Sequence, residues 1–393
     1  MSFSAALFNK KKSCIILVWR ANCGQFDHSS IFIEGILEPS SLAETGFNQS
    51  SSSPVSTRHK TLVQECDIYN GKWVYNPKAY PLYKASQCPL LPEKSSCRIN
   101  GRPDSKYEEW SWESKDCHIP RFNGTDLLER LRNKRVIIAG DSMNRNQWES
   151  LYCLLYTSLP SPSPELGFIY RKKSVKIFKL KDYNCTIEFY WNPFLVEFDR
   201  DVNGKMIVNL DKIPKFARKW HGASIMLFNT GHWWVHAGKK KPWDFFQYKG
   251  ELLEDMDLEV AFKVGMELWA RWIDANVDST KTMVVFRSIT PLHYGNQWCY
   301  GTREPMKDDE IYVSEFPQSL VDTVEKTIKG MRIPVKYMNI TKLSQYRRDA
   351  HLSIYGRKDR EGKEFWCDCS HWCLPGVPDT WNRLLYSLIV VES

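Results

Sequence analysis

A chain of 393 residues that is 42% hydrophobic, 25% charged and 13% aromatic is not disordered throughout, and it fits one large domain or two modest ones. Its longest N-terminal apolar run, Cys14 to Trp19, falls far short of the about 20 residues that cross a bilayer, and no later segment does better without charges. The formal charge of +8 is scattered apart from Lys10 to Lys12 and Lys239 to Lys241, which argues against nucleic-acid binding and for a mild attraction to anionic partners, acidic polysaccharides included.

Residues 1–60 combine a basic start with a serine-rich stretch, Ser50 to Ser53 followed by Pro54, and read as a flexible leader or linker. The apolar run in it is shorter than the about 7–15 residues of a secretory h-region, so no signal anchor is evident there. Residues 61–393 are expected to form the catalytic unit. Within it, 61–122 is rich in Cys, Pro, Tyr and Trp and predicts a loop-rich, disulfide-stapled segment.

From 123 onward the pattern becomes α/β. Asp126 to Arg132 carries a short helical pattern, and Arg135 to Ala139 is a β-branched strand closed by Gly140. Further buried strands are predicted at Ile187 to Tyr190, Ser224 to Phe228, Thr282 to Phe286 and Val335 to Met338. Helices are predicted at Asn144 to Tyr156, Asp255 to Ile273, Pro317 to Lys329 and Thr380 to Val390. Short apolar strands alternating with amphipathic helices describe a parallel sheet covered on both faces, whose site lies at the strands' carboxyl ends.

Ten of the twelve cysteines lie beyond residue 65, and so many spaced cysteines point to a disulfide framework in an oxidising compartment. The candidates are Cys66, Cys88, Cys97, Cys117, Cys153, Cys299, Cys369 and Cys373, with pairing left open by spacing. Sequons at Asn48, Asn123, Asn184 and Asn339 agree with a secretory route. Cys367, Cys369, His371 and Cys373 could be read as zinc ligands, but they lack the paired knuckles of such sites, and disulfides to the N-terminal cysteines are the expected use.

Two strand ends carry chemistry. Gly140-Asp141-Ser142 sets a serine at a sharp strand-to-helix turn, where the helix N-terminus favours negative charge, although Asp141 or Ser142 could equally be a helix cap. Asp368 and His371, three residues apart in what reads as a tight loop, could supply the imidazole that deprotonates Ser142 and the carboxylate that fixes its tautomer. Asn229 and Gly231, after the strand ending at Phe228, could join the Ser142 N–H as an oxyanion hole. His232, Trp233 and Trp234 follow, and the sixteen tryptophans suit either a core or stacking on sugar rings.

With these residues in view, the chain resembles the plant trichome birefringence-like family of the PC-esterase group. The likeness runs from about Cys66 to the C-terminus. It rests on Gly71-Lys72-Trp73-Val74, Tyr80-Pro81-Leu82-Tyr83, Gly101-Arg102-Pro103-Asp104, Pro120-Arg121-Phe122, and Gly140-Asp141-Ser142-Met143-Asn144-Arg145-Asn146-Gln147. It continues through Phe228-Asn229-Thr230-Gly231-His232-Trp233-Trp234 and the long block from Asp368-Cys369-Ser370-His371-Trp372-Cys373 to Trp381-Asn382.

The resemblance implies an SGNH/GDSL-hydrolase-like fold with a disulfide-bonded minor lobe and polysaccharide O-acetyltransferase activity in the Golgi. It also implies an acetyl donor as co-substrate with no bound cofactor or metal, and a triad of Ser142, Asp368 and His371. Arg145, Asn146, His232, Trp233 and Trp234 are the expected substrate contacts. The likeness is greatest to the branch associated with pectin and powdery-mildew susceptibility, so pectin is the favoured acceptor and xylan the next. Family members usually begin with a signal anchor, which residues 1–60 do not display. An acetyl esterase would use the same triad with water as acceptor, and a non-catalytic pectin-bridging protein would use the tryptophans and basic surface alone.

Overall fold

The computed structural model describes residues 66–392, except 116, 161–166, 173, 237–240, 295–297, 308–311, 315 and 357–366. The expected leader over 1–60, its apolar run and the sequon at Asn48 lie outside the described residues. Asp67–Ser393 forms a single unit.

In chain order, β1 (Gly71–Tyr75) pairs antiparallel with β2 (Trp110–Ser114) in the cysteine-rich segment. Next come α1 (Gly124–Arg130), β3 (Arg135–Gly140), α2 (Ser142–Tyr156), β4 (Gly167–Lys172), β5 (Val175–Leu180) and β6 (Cys185–Trp191). They are followed by β7 (Glu197–Arg200), β8 (Met206–Asn209), β9 (Ile225–Phe228), β10 (Phe245–Tyr248), β11 (Glu251–Leu253) and α3 (Leu258–Asn276). The chain continues through β12 (Met283–Arg287), α4 (Gln318–Lys329), β13 (Val335–Met338), α5 (Thr341–Gln345), β14 (His351–Ser353), β15 (Asp368–Trp372) and α6 (Val377–Glu392).

The main sheet has the order β13-β12-β9-β3-β6-β5-β4. Its first five strands are mutually parallel, and β5 and β4 add an antiparallel edge. All five predicted strands and all five predicted helices are present. The antiparallel edge and a second sheet, β11-β10-β8-β7, were not legible in the pattern. Lys176 and Lys179 break the apolar run of β5, as suits a strand near an exposed edge.

Consecutive side chains of β3 enter different cores. Val136 and Ile138 pack with α2 and α6, while Ile137 and Ala139 pack with α3 and α4. Alternation in a strand apolar at every position is what forces helices onto both faces. Burying Ile137 and Ile138 completely contributes roughly 2–3 kcal/mol each. The chain passes from β3 to β6 on one side and to β9 on the other, so the strand order reverses around β3. In open α/β sheets such a reversal marks the place of the ligand crevice, here the carboxyl ends of β3 and β9.

Candidate active site

The crevice begins at Gly140. A Cβ there would lie 2.0 Å from Asn229 Oδ1 and 2.7 Å from the Asn229 carbonyl oxygen, so only glycine lets β3 and the β9 loop approach this closely. The chain then turns directly into α2. Asp141 is the N-cap, its Oδ1 accepting from the Met143 N–H at 2.9 Å. Ser142 is the first helical residue and is partly exposed, and its hydroxyl makes no hydrogen bond to any described residue. Its N–H is one of the donors that a helix start leaves without an intrahelical acceptor.

Asp141 does more than cap. Asn229 donates Nδ2–H to Asp141 Oδ1 at 3.0 Å and accepts from the Asp141 N–H at 3.3 Å. His232 Nδ1 lies 3.4 Å from Asp141 Oδ2, and its Nε2 lies 2.9 Å from the Thr290 carbonyl oxygen. Arg287, buried at the end of β12, donates Nε–H to Asn144 Oδ1, and Asn144 donates to the Ala139 carbonyl. Burial alone would raise the Asp141 carboxyl; the hydrogen bond and charge of His232, the charge of Arg287 and the Asn229 amide outweigh it and hold the group well below the usual carboxylate range. Burial pushes the Arg287 guanidinium down to about 10 against the opposing charge of Asp141.

Two expectations change here. Asn229 is wholly buried, and its carbonyl oxygen and one of its two Nδ2–H groups are engaged by Asp141, so it orients the turn and the oxyanion role expected of it is left to the second N–H alone. His232 is 8% exposed and bridges Asp141 to the β12 loop, which makes it a brace and not a substrate contact. Gly231 follows Asn229 in the same loop, with its N–H available. Its N–H has no acceptor among the described residues, and a Cβ would meet Ile289 Cδ1 at 2.7 Å.

The second half of the crevice is β15, which is a strand and not the expected tight loop. It pairs with β14 irregularly: His351 faces Trp372 and Ser353 faces Asp368, so Leu352 alone spans Cys369 to His371. Residues three apart on a regular strand point to opposite faces; this bulge brings Asp368 and His371 to the same one. Asp368 Oδ2 accepts from His371 Nδ1 at 2.8 Å, while Oδ1 accepts from the N–H groups of Ser370 and His371 at 3.0 and 2.9 Å and from Ser370 Oγ at 2.8 Å. Burial would raise this carboxyl, but the charge and hydrogen bonds of His371 and the two backbone N–H groups hold it well below the usual range. A carboxylate only accepts, so the His371 proton sits on Nδ1 and leaves Nε2 as a bare acceptor. Nε2 is buried without a partner.

Asn146 joins the halves. One turn beyond Ser142 on the same face of α2, it accepts from the Trp372 N–H at 2.9 Å and donates to the Trp372 carbonyl at 3.3 Å. Its amide is spent on the strand that carries His371, so the substrate role expected for Asn146 gives way to a positioning one. Trp234 is corrected likewise: it is 1% exposed, packs on Phe194 and Phe262, and donates Nε1–H to Thr230 Oγ1. Among the described residues seven tryptophans are fully buried, Trp148, Trp372 and Trp381 among them, so much of the tryptophan surplus is core. Trp233 is only half-buried, edge-on to Trp191 at 5.2 Å, and Trp191 stands opposite Gly140 in the sheet. Arg145, 3.8 Å from Glu149, lies over the Trp191 ring at 5.8 Å.

Disulfides fix the frame. Cys88 pairs with Cys153, Cys97 with Cys373 and Cys299 with Cys369, and Cys66 and Cys117 are also disulfide-bonded. Cys97–Cys373 ties the N-terminal segment to the strand of Asp368 and His371, as expected, whereas Cys369 reaches Cys299 and not the N-terminal cluster. Cys367 forms none of these bridges; its Sγ lies 3.8 Å from Cys369 Sγ. With Cys369 and Cys373 bridged and His371 Nδ1 on Asp368, the four residues weighed as zinc ligands do not form a ligand set. Asn123, Asn184 and Asn339 are exposed. Asp141 as a hub, Arg287, and the buried pair His293 and His351 went unrecognised in the sequence; only Asp141 carried a signal, its place in the Gly-Asp-Ser turn.

Comparison with known proteins agrees with this architecture. Residues 119–388 match the PC-Esterase family, described as the GDSL/SGNH-like acyl-esterase family found in Pmr5 and Cas1p, and residues 64–118 match the PMR5 N-terminal domain. Protein trichome birefringence-like 6 of Arabidopsis thaliana is 43% identical over 337 residues, covering 82% of this chain and 70% of that protein. Protein trichome birefringence is 38% identical over 349 residues, 84% of this chain and 57% of that protein, and trichome birefringence-like 36 is 38% identical over 345 residues, 86% and 89%. The chain therefore spans little more than half of one of these relatives. With an SGNH-like sheet, a serine at its switch point and an Asp–His pair tied to the serine's helix through Asn146, the chain belongs to the PC-esterase family of trichome birefringence-like proteins.

Proposed function

We propose that the chain is an O-acetyltransferase that moves acetyl groups onto cell-wall polysaccharide in the secretory pathway, with pectin the favoured acceptor and xylan the next. The observation that carries this is the Asp368–His371 pair with its bare Nε2, tied through Asn146 to the first turns of α2, the helix that begins at Ser142, whose hydroxyl makes no hydrogen bond to a described residue. No described helix is long and apolar enough to cross a membrane, and any anchor is left to the rest of the protein.

Mechanistically, His371 Nε2 takes the proton of Ser142 Oγ as the oxygen attacks the acetyl carbonyl of the donor. The Ser142 and Gly231 N–H groups face the oxyanion, aided by the positive end of α2. His371 returns the proton to the leaving group, giving acetyl-Ser142. A sugar hydroxyl then gives its proton to Nε2 and attacks the acetyl-enzyme; the Oγ–acyl bond breaks, Ser142 regains its proton, and the O-acetylated sugar departs. Asp368 keeps the ring in the required tautomer and stabilises the imidazolium. Trp233, Trp191 and Arg145 line the side from which a sugar chain would approach.

Ser142→Ala should abolish acetyl transfer from a donor to pectic or xylan oligosaccharides while leaving the circular dichroism spectrum unchanged. Running bare oligosaccharide plus donor in parallel with acetylated oligosaccharide in water separates a transferase from an acetyl esterase. Saturable pectin binding with no acetyl-enzyme by mass spectrometry, unaltered by Ser142→Ala, would instead identify a bridging protein and refute the proposal.

A further inference from the structure

Behind β15 lie two buried histidines that the mechanism does not use. His293 and His351 are 0% and 1% exposed, and His293 Nδ1 lies 2.6 Å from His351 Nε2. The outer nitrogens both meet carbonyl oxygens: His293 Nε2 lies 2.8 Å from that of Gln345, and His351 Nδ1 lies 3.0 Å from that of His371. A carbonyl can only accept, so each outer nitrogen must carry a proton. Two neutral rings have two protons in all, and both are then spent. The 2.6 Å contact would set one lone pair against another unless a third proton lies between them.

We propose that His293 and His351 share one buried proton and act as a positioning pair for His371, which His351 holds through the His371 backbone carbonyl. The inference rests on His371 being the general base. Several contacts favour the extra charge. The His351 ring stacks on Trp372 with centroids 3.9 Å apart and planes at 26°, a face-on placement that stabilises a cation. Asp368 acts on His351 in the same direction. Opposing it are burial, which pushes His293 down to about 4 and His351 well below its ordinary value, and the charges of Arg348 and His371. Tyr312, edge-on to His293, and Arg102, donating to the His351 carbonyl, complete the titratable surroundings. Burial favours neutral rings, but neutral rings cannot supply this set of donors, and the hydrogen-bond geometry decides for the shared proton. Two backbone links reinforce the placement: the His293 N–H donates to the Cys369 carbonyl at 3.1 Å, and His351 pairs with Trp372 in the β14–β15 ladder.

The pH dependence has a definite sign. With the third proton present, at low pH, all three contacts hold. When it leaves, as pH rises, either the inner contact becomes repulsive or one ring turns its proton inward and forfeits its carbonyl. Alignment of His371 is thus lost with rising pH, opposite to the rising limb expected of a general base, and the two limbs together give a bell.

The full chain, labelled with 15N-histidine, is titrated by NMR from about pH 5 to about pH 8, with His293→Phe and His351→Asn used for assignment. The expected result is one shared proton, seen as intermediate shifts of the two inner nitrogens that are lost in a single step. Two ordinary neutral tautomers across the whole range would overturn the proposal. In parallel, kcat for p-nitrophenyl acetate is followed against pH. His293→Phe should remove the falling limb, and an unchanged limb would refute the pairing. His351→Asn, whose amide can still donate to the His371 carbonyl, should stay within about tenfold of wild type, whereas His351→Leu loses about 100-fold in kcat with KM unchanged. Equal losses for the two would refute positioning. The NMR readout does not depend on turnover, so failure of the acyl-transfer reading, seen as Ser142→Ala retaining full activity, is distinguishable from failure of the shared proton.

Discussion

Asn146→Ala separates two roles for a residue one turn from Ser142. Asn146 is 3% exposed, and its amide satisfies both polar groups of Trp372, the N–H at 2.9 Å and the carbonyl at 3.3 Å. Alanine leaves both without partners, and Trp372 is itself wholly buried, so water does not replace the amide freely. An abandoned buried donor or acceptor costs about 1–3 kcal/mol, which puts the loss at about 2–6 kcal/mol for the two. Cys97–Cys373 still holds the next residue, so the strand shifts without detaching. A displacement of about 1 Å at His371 is enough to lower kcat about 100-fold. Urea denaturation should therefore show the stability loss, and steady-state kinetics a fall in kcat with KM for the acceptor within about twofold. A raised KM with kcat and stability intact would mean that Asn146 binds substrate, and would refute the positioning role.

Other substitutions probe the surrounding frame. Asp141→Asn removes the charge that balances buried Arg287 and should cost about 3–5 kcal/mol by urea denaturation at neutral pH. Because the Asp141 carboxyl is depressed in the folded protein, its contribution is fully present above the ordinary carboxylate pKa and is lost as pH falls through the folded value, so the variant should lose less stability on acidification than wild type. Gly140→Ala drives a methyl group into Asn229 Oδ1, and expression as soluble, active protein should fail; normal yield and activity would contradict the close approach. Cys299→Ser opens a link between residues 70 apart, and thermal melting should register a loss of about 4 kcal/mol by the loop-closure estimate.

What the sequence disclosed was the part encoded locally. The strand from Arg135 to Gly140, the cap and the first turn of α2 are contiguous, so apolar run, glycine and capping residues could be read together. Asp368 and His371 were legible as a pair because three residues separate them, but their geometry depends on a bulge against β14 that no local pattern announces. Polar residues next to the reactive ones misled. Asn146, Asn229 and His232 have the chemistry of substrate contacts, and only the packing shows that their hydrogen-bonding groups turn to Trp372, Asp141 and Thr290. The His293–His351 contact joins residues 58 apart and had no signal at all. Trp234 looked like a sugar platform because aromatic content does not distinguish a ring facing solvent from one facing Phe262.

The two bridges that flank His371 also set an order on the making of the enzyme. The turn bearing Ser142 can form as soon as its strand and helix are synthesised, whereas Asn146 must wait for Trp372, 226 residues later. Cys369 and Cys373 then lock that strand from both sides to Cys299 and Cys97, so the acid–base pair reaches its working position only after thiols far apart in the chain have been oxidised. A chain folded under reducing conditions would build the sheet and present the serine while leaving its histidine poorly held. The hold on His371 is thereby tied to the oxidation state of four cysteines that lie 70 and 276 residues apart in their pairs.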